Sequence, residues 1–395
     1  MYTTIRLKKG REASLLSRHP WLYSGALEAV PEEVAHGDLV RLISSDDRVM
    51  AVGTYSSRSM IAVRILDFRD AQIDRAWLAA HIDQAHRRRL LLGIGDNSET
   101  TGYRVVFGES DSLPGLVVDR YADILVIQFS TLGMERLREE IISALVDLFH
   151  PASIYEKSEL PSRIEEGLPP AAGPCYGDAP DLVEFRENGR RHLADLRNGQ
   201  KTGFYLDQRD LRQEIHRLAA GRRTLDLFSY TGSCGLAALA GGALSVHCVD
   251  SSAAALDIGL QQACLGGLDR SCLTCETADV FQWLASRTSP EYDLVMVDPP
   301  ALIKSRRHAD AGRRGYHFLN RAALRLLNDG GILVTSSCSS FFTEEDLAIT
   351  LRRASEQVGV ELIILKIIRP GPDHPMSLYF PEGSYLKSFV CLVRH

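Results

Sequence analysis

From about Leu182 onward the chain repeats one pattern, an apolar strand-like run, a turn and then a helical stretch, and this alternation constrains the fold more than any other feature of its 395 residues. Residues 224–228, 245–250, 292–298 and 331–336 read as strands, with 273–277 a shorter fifth. Helical periods fall between them, as at 253–264 and 316–327. Strands alternating with helices form βαβ units, which assemble into a parallel sheet covered by helices on both faces. The fold class is therefore α/β for this half of the chain.

The text before Leu182 is different. Residues 1–69 hold short strand-like runs at 39–43, 50–55 and 61–66 between Asp, Ser and Gly turns, the pattern of a small β-rich module. A helical period over 73–92 carries Arg87-Arg88-Arg89, whose charge predicts a solvated face. A central α+β unit follows, with strands at 105–107, 116–119, 124–129 and 153–155. Its helix, at 134–149, places Leu137, Ile141, Leu145 and Leu148 on one face. The stretch from Gly167 to Pro174, with Gly177 and Pro180 after it, reads as a turn-rich connector. The expected domains are 1–72, 73–181 and 182–395.

Composition narrows the function classes. Apolar residues at 45% and charged residues at 24% describe a globular protein rather than a disordered one. Lys+Arg 45 against Asp+Glu 51 gives −6, which taken as a total argues against a partner held by charge. No uncharged apolar run is long enough to span a membrane, and Met1 to Lys9 lack the apolar core of a signal peptide, so a cytoplasmic protein with no membrane partner is expected. None of the eight cysteines falls in the first 174 residues, which is no disulfide framework. Cys272 and Cys275 form a CxxC, but on a strand such positions face opposite sides about 10 Å apart, and no metal site is expected.

Four acidic or glycine-bearing spots end the strands of the last domain, where open α/β sheets bind ligands. The first is Asp226-Leu227-Phe228-Ser229-Tyr230-Thr231-Gly232, a strand and tight turn leading to Cys234 and Gly235. Asp250 ends the next strand, placed either to accept ribose hydroxyls or, with Ser251 and Ser252 following, to cap a helix. Asp279 follows the short fifth strand, and Asp298-Pro299-Pro300 closes an apolar one, its prolines stopping the ladder and fixing the Asp at the tip. The ordered set resembles a class I S-adenosylmethionine-dependent methyltransferase, a Rossmann-like fold. A nicotinamide oxidoreductase would need the GxGxxG that is missing here.

A closer resemblance covers the whole chain. Asn198-Gly199-Gln200-Lys201-Thr202-Gly203-Phe204-Tyr205-Leu206-Asp207-Gln208-Arg209, Phe228 to Gly232, Asp298-Pro299-Pro300, Arg314-Gly315-Tyr316 and Ser337-Cys338-Ser339 resemble the bacterial 23S rRNA cytosine-C5 methyltransferase family. His19 to Ala26 resembles the start of that family's N-terminal PUA domain, an RNA-binding module. Gly108 to Arg120 resembles its central domain and Tyr379 to Lys387 its C-terminal end. The resemblance implies S-adenosylmethionine as cofactor, held by Phe204, Gln208, Arg209, Asp226, Phe228, Tyr230, Thr231, Gly232, Asp250, Ser251, Asp279, Asp298 and Pro299. It implies 23S rRNA or a partly assembled large ribosomal subunit as partner, and leaves a homodimer open.

The chemistry can be stated from first principles. Carbon 5 of cytosine is a poor nucleophile until a thiolate adds at carbon 6, so such an enzyme needs a cysteine beside the cofactor. Cys338 fills that role in the resemblance, with Asp298 near N3 and the exocyclic amine; Cys234, in the cofactor turn, is the competing thiol. A buried filler is the ordinary alternative for a free cysteine. The sequence departs from the family at Ala301-Leu302-Ile303, where Lys-Phe is usual, and at His317-Phe318-Leu319, where an Asp is usual. No aromatic directly follows Asp298-Pro299-Pro300, which counts against amino-group methylation. Methylation of another atom such as guanine N7, or a non-catalytic RNA-binding assembly factor, are the rival readings. RNA contacts are expected from Lys304, Arg306, Arg307, Arg313 and Arg314 in a mobile loop with Gly312 and Gly315, and from Lys8, Lys9, Arg11 and Arg18. These clusters outweigh a net charge averaged over three domains, since screening acts over about 10 Å.

Overall fold

The computed structural model describes residues 2–95, 97–303 and 305–394, with Arg306 described by its backbone alone. The chain forms two compact units. One comprises the chain up to Gly189 with Ala194–Leu206 and Pro372–Gly383; the other comprises Arg190–Leu193, Asp207–Gly371 and the chain from Ser384.

The first unit contains two five-stranded sheets. Strands β1 (Thr3–Arg6), β2 (Trp21–Tyr23), β3 (Leu39–Ile43), β4 (Val49–Tyr55) and β5 (Ile61–Asp67), with the single turn α1 (Ala13–Leu16), form a sheet in the order β1-β3-β4-β5-β2. Alternate residues Val40, Leu42, Ala51, Val63 and Ile65 fill its core. Helix α2 (Arg75–Leu91), capped by the Asp74 carboxylate, then leads to β6 (Gly102–Phe107), β7 (Leu116–Tyr121) and β8 (Ile124–Phe129). Next come α3 (Leu132–Arg136), α4 (Arg138–Phe149), β9 (Ser153–Ser158), α5 (Pro161–Glu165) and β10 (Ala171–Tyr176). The second sheet runs β10-β9-β8-β7-β6.

Four expectations change here. The turn-rich connector is in fact β10: Pro174 lies on an edge strand, where a missing N–H costs no ladder bond. The helix at 134–149 is two helices, broken at Leu137, where the backbone leaves helical angles (ψ 12°). The arginine run is not simply solvated. Arg87 is exposed beside Asp83, but Arg89 is fully buried and clasps Asp111 through two hydrogen bonds of 2.7 and 2.8 Å. Burying a guanidinium is tolerated only with such paired geometry. Finally, β1 and β2 are among the strands that the pattern does not show, because four and three residues are too short to show a period.

Three segments of the family resemblance meet within this unit. The Trp21 indole N–H donates to Glu109 at 2.8 Å, its ring packs edge-on against Phe380 at 4.8 Å, and His19 reaches Glu382 at 3.3 Å. These motif residues hold the β-rich module to the central sheet.

The chain passes through β11 (Leu182–Glu187) and β12 (Arg190–Asp195) into the second unit. There α6 (Arg209–Leu218), β13 (Arg223–Leu227), α7 (Ser233–Ala240), β14 (Ser245–Asp250), α8 (Ala253–Leu265), β15 (Leu273–Thr277), α9 (Val280–Ala285) and β16 (Tyr292–Val297) alternate as expected. They continue with α10 (Ala309–Arg325), β17 (Leu327–Ser337), α11 (Glu344–Val358), β18 (Glu361–Ile368) and β19 (Lys387–Arg394). The sheet order is β15-β14-β13-β16-β17-β19-β18. It is mixed rather than all parallel: β19 slots in antiparallel between β17 and β18. The central strands β13, β16 and β17 are buried on both faces and are largely apolar, whereas the edge strands β15 and β18 are partly exposed. Leu294 and Met296 face the core under α6, α7 and α8, whereas Val295 and Val297 face the core under α9, α10 and α11.

Candidate functional site

The register of the parallel strands lines up the expected residues along one edge. Leu227 pairs with Val249 on one side and Val297 on the other, and Val297 pairs with Thr335. The loops carrying Asp250, Phe228 to Gly232, Asp298 and Cys338 are therefore consecutive neighbours at the carboxyl edge of the sheet.

The turn after β13 is strained. Phe228 (φ 59°) and Tyr230 (φ 51°) are left-handed without being glycine, and Gly232 (φ 66°) follows. Such residues cost about 1 kcal/mol or more each and persist where the surroundings over-determine them. Asp250 supplies that restraint, accepting from the Tyr230 N–H at 2.8 Å and from the Ser252 N–H at 2.8 Å. Ser252 is the residue that caps α8, so Asp250 anchors the turn rather than the helix, while Ser251 is exposed. Gly235 cannot be replaced cheaply, because a Cβ would lie 2.7 Å from Cys248 Sγ. The turn leaves Ser229 Oγ and Thr231 Oγ1 buried and without a partner among the described residues. A strained turn at the start of α7, orphaned hydroxyls and a carboxylate at the next strand tip fit a nucleoside-bearing cofactor such as S-adenosylmethionine.

Asp226 lies beneath this turn. Burial pushes its carboxyl up to about 8, and Asp298 and Asp250 push the same way against the Gly235 N–H, which donates to it at 2.8 Å. It carries a proton at neutral pH. An unfolded Asp titrates near 3.9, so as pH rises from about 4 to about 8 the unfolded chain releases a proton that the folded one keeps, and stability falls over that window. Asp226→Asn removes this loss. In thermal melts the variant should match wild type near pH 4 and melt on the order of 5 °C higher at pH 8.

Asp298 stands at the tip of β16 with Pro299 buried behind it. The Gln208 amide donates to Asp298 Oδ2, and its oxygen accepts from Cys234 Sγ at 3.6 Å. Gln208 thus bridges the start of α7 and the tip of β16, and Cys234 is 8% exposed. Arg209 opens α6 and is buried; next to them, the Asp207 carboxylate accepts from Tyr385 OH at 2.6 Å. Phe204 is placed differently. It belongs to the first unit, 2% exposed and edge-on to Phe185 at 5.0 Å, while Thr202 there donates to Asp119 at 2.6 Å. The motif at 198–209 is divided between the two units. Asp279 is the N-cap of α9, accepting from the Gln282 N–H at 2.9 Å.

Cys338 is partly exposed, not a buried filler, and its neighbours are locked. Ser337 and Ser339 are buried on either side, Ser337 Oγ donating to Tyr316 OH at 2.9 Å and Tyr316 OH lying 3.0 Å from Ser339 Oγ. Lys387 Nζ donates to the Ser339 carbonyl at 2.6 Å. Tyr316 and Lys387 entered the sequence reading only as letters of motifs. A lysine at the head of an apolar strand was the signal that could have singled one of them out.

From Ala309 onward the basic segment is helix rather than loop. Helix α10 begins at Ala309 and includes Arg313 and Arg314; its Gly312 lies so close to Ile303 that a Cβ would sit 2.3 Å from Cγ1. Arg313 pairs with Asp346 at 3.0 Å, Arg307 and Arg314 are exposed, and Lys304 and the Arg306 side chain lie outside the described residues. Lys8, Lys9 and Arg11 are exposed on the β-rich module, and Arg18 sits over the Phe68 and Tyr379 rings. A cavity of about 480 Å³ lined by Phe281, Leu302, His308 and Gly312 opens beside α10.

Among the described residues no group of three or more His, Cys, Asp or Glu is placed to hold a metal. Cys275 of the CxxC is register-paired not with Cys272 but with Cys248 on β14. A hydrogen bond between these thiols raises Cys248 and lowers Cys275. No helix among the described residues is long and apolar enough to cross a membrane.

Known proteins resemble the chain at every level. Residues 5–68 match the model of a PUA-like domain, and 171–360 that of an S-adenosylmethionine-dependent methyltransferase. A protein of Serratia proteamaculans named ribosomal RNA large subunit methyltransferase I is 39% identical over 100% of both chains. One of the same name from Klebsiella pneumoniae is 37% identical, covering 100% of this chain and 99% of that protein. A crystal structure described as a methyltransferase complexed with SAH, SMU.776, aligns with a TM-score of 0.85 at 23% identity over 99% of this chain and 100% of that one. At that identity the match shows the fold.

Proposed function

The chain belongs to the large-subunit ribosomal RNA methyltransferase I family, and on that premise we propose that it methylates C5 of a cytosine in 23S rRNA through a covalent adduct of Cys338. The observation that carries this reading is the adjacency of β16 and β17, which puts the Asp298 and Cys338 loops side by side next to the strained turn. S-adenosylmethionine, bound at that turn and at Asp250, supplies an electrophilic methyl group.

The chain's own residues do the rest. Cys338 Sγ, as thiolate, forms a bond to C6, and the C5–C6 π pair moves to C5, which becomes the nucleophile. Asp298 faces N3 and the exocyclic amine and stabilises the charge that develops on the ring. Gln208 fixes that carboxylate through its amide. After methylation the C5 proton leaves, the C5–C6 double bond re-forms, and the S–C6 pair returns to sulfur. The PUA-like module of residues 1–72, the central domain 73–181 and the basic residues Arg307, Arg313, Arg314, Lys8, Lys9 and Arg11 deliver the RNA to domain 182–395, phosphate contacts positioning it without reading sequence. That substrate puts the enzyme in the cytoplasm.

Two experiments bear on this reading. RNA carrying 5-fluorocytidine at the target cannot lose fluorine as the natural base loses its proton, so the adduct should persist and map to Cys338 by peptide mass; an adduct elsewhere, or none, overturns the mechanism. Asp298→Asn should lower kcat by about 10²-fold while the adduct still maps to Cys338.

A further inference from the structure

Lys387 is a buried cation to which the mechanism above assigns no part. It opens β19, 5% exposed, register-paired with Ser337 of β17. Its ammonium donates to the carbonyl of Ser339, the residue after Cys338, at 2.6 Å and to that of Tyr385 at 3.2 Å. The third proton has no acceptor among the described residues. An ammonium in such a place loses several kcal/mol of hydration, and two carbonyls offset part of it. A methionine would fill the same space without that cost, so packing does not explain a lysine.

The charge has a counterpart. Cys338 lies within electrostatic reach of Lys387 and favours its protonated form, as do Glu344 and Asp346 at the start of α11; burial acts the other way and brings Lys387 down to about 8. From α10, Tyr316 is the titratable group that faces Cys338. Both neighbours of the sulfur are thus fixed, Ser339 by the lysine and Ser337 by the tyrosine.

We propose that Lys387 is a positioning residue that holds Cys338 as the thiolate, an inference that rests on Cys338 being the nucleophile. The thiol proton passes to solvent before RNA binds. The sulfur lone pair then forms the S–C6 bond and the π pair moves to C5; on elimination the bonding pair returns to sulfur beside the same ammonium. Lys387 neither gains nor loses a proton in the cycle. Above about pH 8 the lysine deprotonates, and its support for the thiolate fades.

Alkylation of Cys338 by iodoacetamide, followed by peptide mass across pH, reads the thiolate directly without turnover. At pH 7, Lys387→Met and Lys387→Gln should each slow alkylation about tenfold and move its pH midpoint up by about one unit. Lys387→Arg should stay within about twofold of wild type. S-adenosylmethionine affinity, measured by calorimetry, identifies the folded variants, and glutamine keeps a hydrogen-bond donor if methionine disrupts the site. A folded Met or Gln variant with the wild-type alkylation profile overturns the inference. Cys338→Ala separates the two levels. Full activity in that variant sinks the nucleophile, whereas an inactive variant together with an unchanged Lys387→Gln profile sinks the role of Lys387 alone.

Discussion

Cys338→Ala should lower the rate of methyl transfer by about 10³-fold or more while leaving S-adenosylmethionine affinity within a few-fold of wild type. Without the thiolate no bond forms at C6, and C5 stays a poor nucleophile; a 10³-fold loss corresponds to about 4 kcal/mol of transition-state stabilisation. The cofactor turn is untouched, because it is held by Asp250 and Asp226 rather than by anything on the Cys338 loop. Single-turnover assays with rRNA, paired with calorimetry, separate the two quantities. Methylation undiminished in the variant would remove the covalent step, and a parallel loss of cofactor binding would show that Cys338 is structural.

Asp111→Ala should be the most destabilising of the substitutions considered, by about 3–5 kcal/mol. Asp111 is fully buried and takes four hydrogen bonds, two from Arg89, one from Arg88 at 2.7 Å and one from the Phe107 N–H at 2.7 Å. The other acceptors of Arg89 among the described residues are carbonyls, those of Ala85, Arg104 and Asp373. Removing the carboxylate leaves a buried guanidinium without its counter-charge and a backbone N–H without an acceptor. A melt should register a fall on the order of 10 °C. A change below about 1 kcal/mol would mean that the pair contributes little beyond replacing its own lost hydration.

Much of the second unit was legible because strands alternate there with helices and the central strands β13, β16 and β17 are buried on both faces. Runs such as 245–250 and 273–277 coincide with β14 and β15 to the residue, β15 doing so as an edge strand with no fully buried residue, and acids stand at or just past the strand tips. What was illegible has physical reasons. The glycines at 312 and 315 read as breakers, but they are close-packing positions in α10 against Leu302 and Ile303. Gly173 and Pro174 read as a turn, yet an edge strand accommodates both. Arg89 read as solvated because a buried arginine is recognisable only with its partner Asp111, which lies 22 residues away. Asp279 caps α9, a role that its side chain's bond to the Gln282 N–H shows and that the sequence pattern did not single out. Tyr316 and Lys387 are the clearest case: their contacts to Ser339 span 23 and 48 residues, and no local pattern shows which residue they meet. The net charge of −6 likewise says nothing of where Arg307, Arg314, Lys8 and Lys9 lie exposed.

One comparison tests both the atom and the substrate: a map of 5-methylcytosine in 23S rRNA from cells lacking the gene, complemented with wild type or with Cys338→Ala. A single cytosine should lose its C5 methyl group in the deletion, regain it with wild type and stay unmodified with the variant. A 5-methylcytosine map unchanged by the deletion, or a loss confined to a different atom such as guanine N7, would contradict the account.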